Sequence, residues 1–371
     1  MQKELLEQLE TPCIVIDMAK TEENITRMQA AADAYHCRLR PHIKTHKMPL
    51  FTSMQLSHGA CGITCAKVSE AEVMADGGAE DIFIAYPMVG NFRIKRAIKL
   101  AKRVKRLILA VDSMECANLL NEAAKAAKLI FEVRMEVDTG AKRTGVVRTQ
   151  AAQLAKQIYG LSNLKLTGIY TFKSLVFHDE ATVDRELAGL EEGDLMEQIA
   201  EEIRNAGVPI EDISAGSTPT GLEVAKTGKV NEIRPGTYIF NDHMLCMEEA
   251  AKPEEIAVKI YATVVSVPCK EYAVIDGGTK TFPMDILLDT APYYYPGYAL
   301  VEGNEDLRLR RMNEEHGIIT SIKGDTGLKV GDKIALIPIH VCTAVNMQNQ
   351  VYLYDGESLK QEKVAARGML V

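Results

Sequence analysis

The sequence predicts an α/β chain of two domains, a (β/α)8 TIM-type barrel followed by a mostly antiparallel β domain. Three observations carry that reading. From Arg38 to about Gly236, short apolar runs alternate eight times with longer amphipathic ones. Beyond residue 250 the helical periodicity stops, and β-rich runs separated by Gly, Asp and Pro turns replace it. No G-x-G-x-x-G follows the first strand-like run, which counts against an open dinucleotide-binding sheet. The boundaries drawn are 12–245 for the barrel and 246–371 for the β domain, with segment 1–11 a candidate addition to the second. The early run TPCIVID suits either domain.

The eight barrel strands are read in order at RLRPHIK (38–44), GITCAK (62–67), DIFIAYP (81–87), RLILAV (106–111), FEVRMEV (131–137), LTGIYTF (166–172), EDISAGS (211–217) and NEIRPG (231–236). Most are rich in Ile and Val and nearly continuous in apolar character, as a parallel strand covered on both faces requires. Between them, SEAEVMADGG has Ser69 three residues before Glu72, which predicts a capping box, and it closes on glycine. NFRIKRAIKLAKRV, SMECANLLNEAAKAAK, TQAAQLAKQIYG and DLMEQIAEEIRNAGV place apolar residues at helical spacing. In the second domain, IAVKIYATVVSV, EYAVIDGG, HGIITSIK, DKIALIPIH and QVYLYDG read as strands.

Composition narrows the function classes. The chain has 371 residues, 47% of them hydrophobic and 25% charged, so it can bury full cores. Lys+Arg 43 against Asp+Glu 51 leaves a net charge of -8, and the pI is near 5.6. Phosphate-backbone binding needs a basic footprint, so a nucleic-acid partner is not expected. No apolar run approaches the roughly 18 residues of a membrane span. The opening MQKELLEQLE has no signal-peptide core, and a cytoplasmic location is expected. The eight cysteines are scattered and read mainly as small buried residues of a reducing compartment.

In a barrel of this type, chemistry sits at the C-terminal ends of the strands. Lys44 closes the first run among His42, His46 and Lys47, surroundings that suit either a Schiff-base amine or a solvated Lys/His cluster at a strand end. Arg143 lies between two glycines after the fifth strand, placed to reach back over the barrel mouth or to pair with Asp138. AGSTPTG (215–221) and RPGTY (234–238) follow strands seven and eight, where barrels commonly hold phosphate on small residues, amides and hydroxyls. Tyr170 ends the sixth strand and can stack on a ring or serve as core. In IPIHVCTAVN, His340 and Cys342 are two apart; on a strand with a rise of ~3.3 Å they share a face about 6–7 Å apart. Two such donors suit an open, catalytic zinc site better than a closed structural one.

With Lys44, Arg143, GSTPT, RPGTY and HVC in this order, and TPxxxxD ahead of RPHxKTHK, the chain resembles the pyridoxal-phosphate enzymes of the alanine-racemase-type fold. The resemblance is to their D-serine dehydratase and D-threonine aldolase group, and it runs from residue 11 to about 342. It implies that Lys44 carries pyridoxal 5'-phosphate and serves as acid/base at Cα. Arg143 would address the pyridine nitrogen and Tyr170 would lie beside the ring. Ser217, Thr218, Gly236 and Tyr238 would hold the phosphate. His340 and Cys342 would bind a divalent metal, zinc ahead of manganese, next to the substrate hydroxyl. A homodimer is implied as well. One departure stands out: the family often has a Gly and then a His after the sixth strand's Tyr. Here the run is Tyr170-Thr-Phe-Lys173-Ser-Leu-Val-Phe-His178, so Phe172, Lys173 or His178 can reshape the substrate pocket.

The resulting expectation is a lyase acting on a D-3-hydroxy amino acid. Either a 2-oxo acid and ammonia or glycine and an aldehyde would be released. Cys342, where the aldolase branch more often has Asp, leans toward dehydration. The alternative is an amino-acid racemase using Lys44 and a tyrosine from Tyr293–Tyr295. A non-catalytic pyridoxal-phosphate carrier is disfavoured by the β domain, because such carriers resemble a lone barrel.

Overall fold

The computed structural model describes residues 3–371. Its backbone contacts divide it into two compact units: residues 26–44, 48–236 and 369–371 form one, and residues 1–25, 45–47 and 237–368 the other.

The first unit contains the eight expected parallel strands: Arg38–Leu39, Ile63–Cys65, Asp81–Pro87, Arg106–Val111, Phe131–Asp138, Leu164–Tyr170, Asp212–Ala215 and Glu232–Ile233. They pair in the order one, eight, seven, six, five, four, three, two. A His42–Thr64 bridge, with Thr64 N–H donating to the Pro41 carbonyl at 2.8 Å, joins strand two back to strand one and closes the barrel. Phe83, Ile108, Ala110 and Tyr170 form one buried interior cluster, which accounts for the apolar character of these runs. The first strand is shorter than expected. Its ladder ends at Leu39 and the chain turns at Pro41, whose ring removes an N–H donor; a 3-10 turn then spans Ile43–Thr45.

Helices cover the strands at Val68–Asp76, Asn91–Ala101, Met114–Ala127, Ala151–Tyr159 and Arg185–Asn205. The capping box expected at Ser69 does not form. The helix starts two residues earlier than that, with Lys67 at the N-cap, so Ser69 lies inside the first turn, with its amide and hydroxyl bonded to the Val371 carbonyl. Glu72 instead pairs with Arg96. By contrast, Ser113 caps Met114–Ala127, accepting from the Cys116 amide at 3.3 Å.

In the second unit, six antiparallel strands close on themselves. The circuit runs Val258–Cys269, Tyr272–Ile275, Gly317–Ser321, Asn304–Met312, Ala299–Val301 and Lys333–Pro338, then back to Val258–Cys269. Cys13–Asp17, the run that suited either domain, pairs antiparallel with Val258–Cys269 and parallel with Gln350–Tyr354, so it belongs to this sheet. Leu359–Lys363 pairs beyond it. The HVC segment is not a strand: Lys333–Pro338 ends first, His340 stands at the N-cap, and Cys342 lies in the opening turn of helix Val341–Met347.

Candidate active site

At the C-terminal mouth of the parallel barrel, two cations meet one aromatic ring. Lys44 sits in the 3-10 turn after strand one, half-buried, with Nζ 5.8 Å from the centroid of Phe172. The Arg143 guanidinium is 4.3 Å from the same centroid. Both are cation–π distances, and they leave amine and guanidinium within about 10 Å of each other. Arg143 reaches that position because its loop folds back onto strand five. Asp138 accepts from the amides of Gly140 (2.9 Å) and Lys142 (3.1 Å), so Asp138 caps the loop backbone rather than pairing with the guanidinium.

Tyr170 lies one layer deeper. It is 2% exposed, its ring is edge-on to Phe83, and its hydroxyl donates to Glu136 at 2.9 Å. Burial, helped by the Glu136 charge, drives its phenol well above the ordinary range. The aromatic that meets both Lys44 and Arg143 is therefore Phe172, two residues further along. A period-two reading of LTGIYTF holds that signal, since Tyr170 and Phe172 alternate with Thr171.

The loops after strands seven and eight are tied together. Gly236 N–H donates to Thr218 Oγ1 at 3.1 Å, and the Ser217 hydroxyl lies 3.2 Å from that of Thr220 and 3.3 Å from that of Ser174. Gly216 has φ +81°, and a Cβ there would stand 2.8 Å from the Gly221 Cα, so the turn admits only glycine. Beneath it Glu192, fully buried, accepts from the Gly216 amide (3.0 Å) and the Thr220 hydroxyl (3.1 Å). Burial raises its carboxyl above the usual range. Sequence reasoning did not single out Glu192, because a glutamate within helix Arg185–Asn205 looks like any solvated one. Small residues, hydroxyls and an amide at one corner of the mouth are a fitting cradle for a phosphate. Tyr238, expected to join them, belongs to the second unit and is 3% exposed there.

Lys173 and His178 are both committed elsewhere. The Lys173 side chain, 1% exposed, bonds Glu191 and the Val176 carbonyl (2.5 Å), while His178, 75% exposed, sets Nδ1 3.0 Å from Glu191. Neither is aimed at the Lys44 amine.

In the second unit, His340 and Cys342 do come together, sharing a side-chain hydrogen bond. His340 Nδ1 is 2.7 Å from Asp285, which also accepts from the Thr343 hydroxyl at 3.0 Å. Cys342 Sγ lies 3.2 Å from Thr45 Oγ1 and 3.4 Å from Thr237 Oγ1. Burial opposes protonation of His340, but Cys342, Asp285 and Asp242 outweigh it and hold the imidazole up at about 11. Asp242 accepts from the Val341 amide at 3.0 Å and so fixes the backbone between the two donors. Asp285 and Asp242 are distant in sequence, and no spacing rule points to them. With Nδ1 held by a carboxylate, the imidazole has the carboxylate–histidine arrangement of metal sites, and a cation would bind the ring by displacing the proton held between His340 and Cys342. Among the described residues no cluster of three or more metal-binding side chains forms. A His–Cys pair thus fits a soft divalent ion whose remaining positions stay open.

Fold and site define a two-part enzyme of the alanine-racemase type, and the comparisons agree. The model described as alanine racemase, N-terminal domain, matches residues 16–243, and a serine dehydratase domain model matches residues 257–354. The chain belongs to the alanine racemase N-terminal domain family, in the group that carries a serine dehydratase domain after the barrel. It is 31% identical over 361 residues to D-threo-3-hydroxyaspartate dehydratase of Delftia sp. (strain HT23), covering 92% of this chain and 93% of that one. It is 29% identical over 367 residues to D-threonine aldolase of Arthrobacter sp, covering 98% and 94%. The solved Delftia dehydratase superposes with a TM-score of 0.88 at 29% identity, over 97% of this chain and 98% of that one. A cysteine-to-alanine variant of a dehydratase of that name is described as in the metal-free form.

Proposed function

We propose that the chain is a pyridoxal-phosphate- and divalent-metal-dependent lyase acting on a D-3-hydroxy amino acid, with dehydration to a 2-oxo acid and ammonia favoured over aldol cleavage. The observation that carries this is the meeting of Lys44 and Arg143 on one aromatic ring at the barrel mouth. Full-length kinship to dehydratases and aldolases of D-hydroxy amino acids supports the reaction class. When bound, pyridoxal phosphate supplies an electron sink at Cα, and a divalent ion supplies Lewis acidity toward the β-oxygen.

The chain's own residues do the rest. Lys44 holds the cofactor's aldehyde through its ε-amine and then moves the Cα proton. Arg143 would address the pyridine nitrogen, and a guanidinium beside that nitrogen would disfavour its protonation. Phe172 takes the ring contact that the resemblance gives to Tyr170. Ser217, Thr218 and Gly236 grip the phosphate, with Tyr238 as a further donor. His340, oriented by Asp285, and Cys342 hold the metal, with zinc ahead of manganese on donor softness. The favouring of dehydration rests on Cys342. The enzyme is proposed to work in the cytoplasm as a homodimer; among the described residues no helix is long and apolar enough to cross a membrane.

The test offers D-threo-3-hydroxyaspartate, D-serine, D-threonine and D-alanine separately, with and without chelator. A 2-oxo acid and ammonia, lost on chelation, support the reading. Glycine plus an aldehyde makes it an aldolase, and L-amino acid formed despite chelator makes it a racemase. A protein that stays colourless with added pyridoxal phosphate refutes it.

A further inference from the structure

Strand five, FEVRMEVD, sends Glu132, Arg134 and Glu136 to one side and Val133, Met135 and Val137 to the other. The first two join a charged network at the base of the barrel. Glu136 stands nearer the mouth, 3% exposed, and each of its oxygens receives one hydroxyl. Tyr170 donates to Oε2 at 2.9 Å, and Thr144, the residue after Arg143, donates to Oε1 at 2.9 Å. Gly145 then lies directly on the strand. It has φ +106°, and a Cβ would stand 2.6 Å from the Asp138 nitrogen and 3.2 Å from the Glu136 Cγ. One carboxylate thus ties together the two segments that end in Arg143 and Phe172.

We propose that Glu136 is a positioning residue for Arg143. Through Thr144 and Tyr170 it fixes where the guanidinium stands over the Phe172 ring, and its negative charge tempers the field that Arg143 exerts on a bound pyridine. This rests on the reading that pyridoxal phosphate binds at Lys44 with its ring nitrogen toward Arg143. The charged and titratable groups facing Glu136 are Arg143, Arg234 and Tyr170, with Asp112 close to the same loop through the Gly145 amide at 3.4 Å. Removing a buried negative charge beside a guanidinium leaves a more positive field, which disfavours protonation of a nearby nitrogen.

The experiment uses the pyridoxal-phosphate-loaded enzyme and follows the pH titration of the cofactor's visible absorption. Glu136→Gln is expected to lower its midpoint by about half a pH unit or more. It should reduce kcat by about tenfold while KM moves less than about threefold. Thr144→Val should reproduce part of the shift, and Thr144→Ser should restore the wild-type midpoint. In an Arg143→Ala background the Glu136→Gln shift should shrink to the direct effect of the lost charge, since positioning acts through the residue positioned. An unchanged midpoint, or an equal shift with and without Arg143, overturns the proposal. If Glu136→Gln does not fold, Thr144→Val on the loop decides by the same readout. Borohydride reduction separates the two levels. Wild-type protein unlabelled at Lys44 refutes the underlying function, whereas labelling at Lys44 with an unmoved midpoint refutes only the role of Glu136.

Discussion

The two ends of the parallel barrel handle charge in opposite ways. At the base, near the strand starts, charges are matched among themselves. Arg40 reaches Glu232 (2.9 Å) and Asp81 (2.6 Å), Arg134 reaches Asp212 (2.6 Å) and Glu232, and Arg106 reaches Glu132. Arg40, Arg134 and Glu232 have no exposed side-chain surface. Burial alone would push the Glu232 carboxyl up, but Arg40 and Arg134 overcome it and hold it well below the ordinary range. At the mouth, the Arg143 guanidinium faces a ring, and hydroxyls and an amide gather at one corner. The base is a closed account of charges and therefore a structural device, whereas the mouth is arranged to receive something else.

The sharpest way to break that contrast is Lys44→Ala. Turnover should fall by roughly four orders of magnitude, since the residue that handles the Cα proton is removed. Borohydride labelling should vanish and the unfolding midpoint should barely move. A large loss of stability would mean that Lys44 is a structural cation like those of the base. In the second unit, His340→Ala should spare the cofactor's absorption but remove bound metal and most lyase turnover. Asp285→Asn should weaken metal affinity by about 10–100-fold, the usual effect of an orienting partner. Metal analysis by mass spectrometry and a zinc titration check both.

Glu232→Gln is the converse change at the base. It leaves Arg40 and Arg134 facing a neutral amide in a buried site, so stability should fall by about 3–5 kcal/mol in urea unfolding, with Lys44 labelling intact in the folded fraction. The pH dependence has a definite sign. The folded-state pKa of Glu232 is depressed, so its contribution is full above the unfolded carboxylate value and fades as pH falls toward the lower folded one. Wild type should therefore lose stability on acidification through that window, and Glu232→Gln should lose less.

How much of this could be read beforehand follows from the same contrast. Most barrel strands are legible because a parallel strand covered on both faces is an apolar run, whereas the charged RLRPHIK and NEIRPG are legible only by their place in the alternation. Lys44, Arg143 and the two phosphate-type loops were legible as residue types at strand ends. The base network was not. Arg38 and Arg40, or Glu132 and Arg134, look solvated until closure of the barrel brings strand one beside strand eight. Asn304–Met312 (NEDLRLRRM) is hard to read as a strand because its charges mask a half-buried one, and the HVC run is too short to display a helical period.

Lys173 offers the finest test, since it lies at the mouth yet behaves like a residue of the base. Its ammonium is buried against Glu191 and the Val176 carbonyl, and Glu191 also receives the His178 amide at 3.2 Å. This clamps the short hairpin of Val176–Phe177 and Glu180–Ala181 to helix Arg185–Asn205. If pairing rather than location decides a charge's role, Glu191→Gln should act on the hairpin and hardly on the chemistry. Amide exchange across residues 174–182 should quicken, and the overall cost should be about 1–3 kcal/mol, that of leaving a buried cation under-satisfied. Turnover per bound cofactor should stay within about threefold of wild type. A loss of kcat approaching that of Lys44→Ala, with the hairpin still protected, would show that Lys173 belongs to the reacting centre and that position in the barrel outweighs pairing.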